Sequence, residues 1–243
     1  MSQVTLVTGA AGGIGRDLAA ALAERGAPLV LADIDHAGVE AVAAKLRPAN
    51  PAIAALHVDI TSPASARAMV AATLERFGRL DNLVHCAGID APSGRIWEQP
   101  DEDWTRIIDA DLSGAFWCCK AVLPPMLARG TGRIVLIGSV AGRSANIATS
   151  AVYNAAKAGI NGLAIGLSTQ VEAAGIRVNV VAPGPTGTGN AMTPEQTEAY
   201  RRTYPLGEGG TRPVVEACLY LLGPGGDWMS GSVVNISGGR WRG

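Results

Sequence analysis

The chain has 243 residues, 48% of them hydrophobic and 17% charged, and its 20 basic and 21 acidic side chains leave a formal net charge of -1. So even a balance, with no dense Lys/Arg run, argues against a nucleic-acid or anionic-membrane surface. No apolar stretch approaches the roughly 18 residues of a membrane span. The four cysteines (Cys86, Cys118, Cys119, Cys218) form no CxxC pair, so neither a metal site nor a disulfide framework is expected. Cys86 and Cys218 lie in apolar runs, as small buried hydrophobes do.

The first apolar run begins almost at once, with no basic and apolar leader before it, and a cytoplasmic protein is expected. Val4–Val7, Leu29–Ala32, Ile53–Val58, Leu83–Cys86, Ile134–Ile137, Val178–Val181 and Val233–Ile236 read as strands buried on both faces. Helical patterns fall between them near 14–26, 37–47, 64–77, 102–128, 151–174 and 213–222. This alternation predicts one α/β domain over 1–243, a Rossmann-like doubly wound parallel sheet of about seven strands with helices on both faces. The Gly/Thr/Pro-rich stretch 184–211, around a short helix at 193–203, is the candidate substrate lid.

The first strand runs into Thr8-Gly9-Ala10-Ala11-Gly12-Gly13-Ile14-Gly15 and then a helix. A glycine turn there lets backbone approach a pyrophosphate and aims a helix N-terminus at its charge. Asp33 closes the second strand 18 residues beyond Gly15, near the spacing of the acid that binds the adenosine ribose. Its carboxylate would repel a 2′-phosphate. The alternative is that Asp33 caps the following turn beside Asp35.

The pattern Thr-Gly-x-x-x-Gly-Ile-Gly, with Tyr153-Asn154-Ala155-Ala156-Lys157 as Tyr-x-x-x-Lys, resembles the short-chain dehydrogenase/reductase family over the whole chain. The resemblance implies a fold and a chemistry: hydride transfer between a nicotinamide and a secondary alcohol or ketone. It implies cofactor contacts at Gly9, Gly12, Gly13, Ile14, Gly15, Asp33, Ile34, Asp59 and Ile60, with Asp59 at the adenine, and at Tyr153 and Lys157. NADPH-preferring members usually carry a basic residue where Gly12 or Ile34 stands here, so NAD is the expected cofactor. His85-Cys86-Ala87-Gly88 replaces the usual Asn-Asn-Ala-Gly; Cys86, Ala87 and Gly88 would still border the ribose, and a lone His85 is expected to be packed or solvated. Pro183, Gly184, Thr186 and Thr188 match the segment that contacts the nicotinamide carboxamide.

Residues four apart on a helix share a face, so the Lys157 ammonium can lie beneath the Tyr153 phenol. A free phenol titrates near pH 10, and positive charge from Lys157 and an oxidised nicotinamide would lower that value. Tyr153 is therefore the expected general acid/base. Ser139, at the end of its strand, matches the family's serine on the reacting oxygen; both it and Tyr153 would touch substrate. It lies 14 residues before Tyr153, one more than is commonest in the family, which keeps Ser144 as a weaker candidate. Asp111 stands where the family has Asn, and its backbone carbonyl is expected to carry the role; the alternative is a side chain ionised near Lys157, which would favour the ammonium and raise the Tyr153 pKa. Arg95, Trp97, Arg143 and Asn146 lie in segments expected to border the substrate, although each reads equally as a solvated loop residue.

The helix at 151–174 is apolar nearly all round, which predicts a partner on its outer face and a dimer or homotetramer. Two other functions fit parts of the pattern. A carrier-linked 3-oxoacyl reductase shares the motifs, but Asp33 opposes the NADPH it normally uses. A catalytically idle dinucleotide-binding sensor or scaffold would need the glycines but not Ser139, Tyr153 and Lys157.

Overall fold

A computed structural model of the chain describes residues 3–90, 94–144, 150–187, 193–207 and 209–242. Seven strands form one parallel sheet in the order β3-β2-β1-β4-β5-β6-β7: β1 Thr5–Thr8, β2 Leu29–Asp33, β3 Ile53–His57, β4 Asn82–His85, β5 Gly132–Ile137, β6 Ile176–Pro183 and β7 Val233–Ile236. Every pairing is parallel, because each strand is separated from the next by a crossover. The helices are α1 Gly13–Glu24, α2 His36–Leu46, α3 Pro63–Phe77, α4 Asp101–Ile108, α5 Gly114–Arg129, α6 Ala151–Val171, α7 Pro194–Thr203 and α8 Arg212–Leu222.

Side chains alternate across each strand, so the sheet makes two cores. Val7, Leu29, Leu31, Val84, Val135 and Val181 meet α1 and α8 on one face. Leu6, Val30, Leu83, Ile134, Leu136 and Val180 meet α3, α5 and α6 on the other. Helix ends follow local chemistry. Asp35 caps α2 by accepting from the Gly38 N–H at 2.9 Å, and Ser62 caps α3 ahead of Pro63. Thr211 donates to Asp17 Oδ2 at 2.6 Å and ties the start of α8 to α1.

Two expectations change. The single helix expected over 102–128 is interrupted by a π-helical turn at Asp109–Ser113 between α4 and α5. Such turns insert a residue into the helical ladder and concentrate at functional sites; this one carries Asp111. The third strand ends at His57, two residues before Asp59. In the expected lid, α7 lies within the described segment 193–207, and no helix of the described residues is long and apolar enough to cross a membrane.

Candidate active site

The sheet reverses its strand order between β1 and β4, and ligands of open α/β sheets gather outside the carboxyl ends at that point. The two loops there approach closely. Gly9 has φ +68, and a Cβ on it would lie 2.6 Å from the Ala87 nitrogen, so only glycine suits the position. A Cβ on Gly15 would overlap the Gly9 carbonyl, which packs the helix against the turn. By contrast, Gly12 and Gly13 face open space, with nothing within 4 Å of a Cβ. There α1 begins with no side-chain cap and no acid in its first turn. The N–H groups of its first turn, left without intrahelical partners, can receive an anion such as a pyrophosphate. Ile14 is half-buried against the α1 face of the core.

Asp33 is held toward this turn. Its Oδ2 accepts from the Ala11 N–H at 2.9 Å and its Oδ1 from the Asp35 N–H at 3.0 Å. The bond to the Asp35 N–H is the turn cap that is the alternative reading of Asp33, and it stands beside the bond to the glycine turn, while Asp35 caps α2. Ile34 beside it is exposed. Asp59 accepts from both the N–H and the hydroxyl of Thr61, while the Ile60 side chain packs against Gly114. These residues fit a nicotinamide dinucleotide.

Across the cleft, Ser139 follows β5 and opens a short turn at Val140–Gly142; its Oγ accepts from the Ala141 N–H at 3.1 Å. It also lies near enough to the Tyr153 phenol to lower that group's pKa. The Ser144 hydroxyl instead donates to the Val140 carbonyl at 3.1 Å. One turn along α6, Lys157 Nζ lies 5.3 Å from the Tyr153 ring centroid and 3.2 Å from Asp111 Oδ2. Asp111 Oδ1 accepts from the Ile89 N–H at 2.6 Å. A Cβ on Gly88 would lie 2.8 Å from Asp111 Oδ1 and 3.2 Å from Lys157 Nζ, so this glycine joins the turn after β4 to the ion pair. Gly184 continues the wall after Pro183, with its N–H bonded to the Ile236 carbonyl at 2.8 Å, and Thr186 lines a cavity of about 470 Å³ beside it.

A family model described as Enoyl-(Acyl carrier protein) reductase matches residues 9–240. The chain is 34% identical to the 3-oxoacyl-[acyl-carrier-protein] reductase FabG of Escherichia coli, covering 98% of this chain and 97% of that protein. It is 37% identical to the cis-4-hydroxycyclohexanecarboxylate dehydrogenase of Sinomonas cyclohexanicum, over 98% and 96% of the two chains. The structure titled "Crystal structure of gox2181" superposes with a TM-score of 0.93 at 33% identity, covering 98% of this chain and 95% of that one. The chain belongs to the short-chain dehydrogenase/reductase family. It is an oxidoreductase of CH–OH and keto groups.

Within that family frame, three expectations need correction. The first concerns Asp111, where the geometry favours the side-chain alternative over the backbone carbonyl. Its side chain is fully buried and directly engaged, because the π-helical turn directs the carboxylate at Lys157. The second concerns the phenol. Burial pushes the Tyr153 pKa up, to about 12; the Ser139 hydroxyl lowers it, and the Asp111 and Asp90 charges raise it. Burial is the largest of these causes, and it opposes the fall expected from Lys157 and an oxidised nicotinamide together. The third is the neighbourhood of Asp59, which follows its strand rather than ending it. Thr188 and Asn146 lie outside the described residues. Arg95 stacks on the exposed Trp97 at 5.5 Å, and Arg143 on Trp241 at 4.6 Å.

His85 is the packed residue expected, though in a more particular way. It is buried with Nδ1 2.9 Å from the Thr8 hydroxyl, and burial together with the Lys157 charge lowers its pKa to about 3. Period-2 alternation from Leu83 was the available signal, since it puts His85 on the α6 face of the sheet. Trp241, Tyr200 and Tyr204, which line the cavity, were not singled out. Only the aromatic tail after the Ser237–Gly239 turn could have pointed to Trp241.

Proposed function

We propose that this short-chain dehydrogenase/reductase oxidises a small secondary alcohol with NAD, reversibly, with Tyr153 as general acid/base. The observation that carries the reading is the continuous chain Ser139–Tyr153–Lys157–Asp111, half-buried at Ser139 and Tyr153, buried at Lys157 and Asp111, and abutting Gly88. Bound NAD supplies the hydride acceptor. Ser139 holds the substrate oxygen, and Tyr153 takes the hydroxyl proton as the carbinol C–H bond gives up its hydride. Lys157 supports the phenolate with its charge, and Asp111 fixes the ammonium. The positive nicotinamide would add the field that lowers the phenol's raised pKa. Thr186 and Thr188 are assigned to the carboxamide, and Cys86 and Ala87 to the ribose edge. The protein is assigned to the cytoplasm. Its partners are a small alcohol or ketone and further copies of itself; exposed Phe116 and Ile165 on the outer faces of α5 and α6 support a homo-oligomer, a dimer or tetramer.

A carrier-linked 3-oxoacyl reductase is the second reading, supported by the 34% identity to proteins of that name. The discriminating experiment is a screen of secondary alcohols and ketones, including 3-hydroxybutyrate and hydroxycyclohexanecarboxylates with their methyl esters, read by NADH absorbance. Turnover only of carrier-bound 3-oxoacyl groups would favour the second reading.

Two predictions arise from the geometry. Asp33 holds its carboxylate at the glycine turn beside exposed Ile34, so kcat/KM with NAD should exceed that with NADP by tenfold or more. Asp33→Ala with Ile34→Arg should raise the use of NADP. Equal or better kcat/KM with NADP in the parent would overturn the assignment. For the serines, Ser139→Ala should lower kcat by about tenfold or more, a barrier change of roughly 1.4 kcal/mol, while Ser144→Ala loses much less. The reverse ranking in steady-state assays would move the role to Ser144.

A further inference from the structure

We infer that Arg143 receives a carboxylate on the substrate, so that the alcohol or ketone used is a hydroxy or oxo acid; this rests on the dehydrogenase reading above. Arg143 lies four residues past Ser139, at the end of the turn Val140–Gly142. That turn is pressed onto α6: a Cβ on Gly142 would lie 2.6 Å from the Lys157 carbonyl oxygen. The base of Arg143 is thus fixed relative to the catalytic lysine and tyrosine.

Its guanidinium reaches the other wall and stacks 4.6 Å from the Trp241 ring centroid. The tryptophan is itself anchored. Its carbonyl accepts from Asn235 Nδ2 at 2.7 Å, and its N–H donates to Ser237 Oγ at 3.3 Å. Stacking on an aromatic face orients a guanidinium while leaving its N–H edge free, the geometry that pairs with a carboxylate through two parallel hydrogen bonds. Among the described residues no carboxylate forms an ion pair with Arg143.

The surroundings carry the same sign. Trp241 lines the cavity of about 470 Å³ together with Thr186, Tyr200, Tyr204 and Leu206, and the described lining residues include no Asp or Glu. The Arg143 guanidinium on the face of this lining tryptophan, with no Asp or Glu among the described lining residues, favours an anion over a cation. A cavity of this size suits a small molecule.

The test compares 3-hydroxybutyrate and 4-hydroxycyclohexanecarboxylate with their methyl esters, and with cyclohexanol, as substrates of the parent and of Arg143→Gln. The parent should prefer at least one acid over its ester by tenfold or more in kcat/KM. Arg143→Gln should lower that acid-to-ester ratio by tenfold or more, mostly through KM, and Arg143→Lys should restore part of it. A variant that loses acid and ester alike, with the ratio unchanged, would make Arg143 only an anchor for the C-terminal tail and overturn the inference. So would a parent that oxidises esters or cyclohexanol as well as the acids, and in that case the dehydrogenase reading would stand. If none of the alcohols yields NADH, and the wider screen is silent as well, both fall together.

Discussion

Tyr153→Phe should bind NADH as the parent does and lose two to four orders of magnitude in kcat, the reach of general acid-base catalysis. The substitution removes one oxygen and leaves the ring, so the packing of Lys157 Nζ 5.3 Å from the ring centroid is retained. What disappears is the hydroxyl that Ser139 lies near and that takes the substrate's proton. Ser139 would still hold the substrate oxygen, and the cofactor contacts on the far side of Gly88 would be untouched. NADH fluorescence titration checks binding, and steady-state oxidation checks turnover. Residual kcat within tenfold of the parent would assign proton transfer elsewhere.

Asp111→Asn should give a functional enzyme with a less stable fold and a shifted pH profile. The carboxylate is fully buried, 3.2 Å from Lys157 Nζ, and removing one member of a buried pair leaves the other charge uncompensated. Such a loss costs about 3 kcal/mol, a fall of roughly 6–12 °C in melting temperature for a chain of this size. The pH effect has a definite sign. Asp111 raises the Tyr153 pKa, so a neutral residue there should lower it. Alcohol oxidation needs the phenolate, so the rate rises with pH up to that pKa, and in Asp111→Asn the rise should come at lower pH. Because Ser139 and Tyr153 remain in place, kcat at the optimum should stay within about tenfold, or roughly 1.4 kcal/mol in the barrier. A pH–rate profile and a thermal melt of both proteins test the two halves. A loss of activity as deep as in Tyr153→Phe, with the fold intact, would place the carboxylate in direct contact with the chemistry.

The chain's own order of residues was enough to determine the seven strands and their parallel class. Both follow from short β-branched runs separated by amphipathic stretches, a local signal that burial on both faces imposes. It also determined the turn at Gly9–Gly15, whose backbone demands are local, and the Tyr153/Lys157 pair, whose spacing of four is one helical turn. The choice between Ser139 and Ser144 could not be read this way, because it depends on which hydroxyl the loop turns toward Tyr153 and which toward the Val140 carbonyl. The choice between the Asp111 carboxylate and its carbonyl was hidden for a similar reason: a π-helical turn has no reliable sequence signature, and its effect is to bring residues 46 positions apart into a buried ion pair. A rise of the Tyr153 pKa from an ionised Asp111 near Lys157 is one of the sequence's alternatives, but its main cause, burial, required the tertiary structure. Burial and the carboxylates of Asp90 and Asp111 set it, and those come together only when β4, the π-helical turn and α6 converge on one point. Sequence periodicity reports which face of an element is apolar; it carries no distance between charges on different elements, and that distance decides the electrostatics of this site.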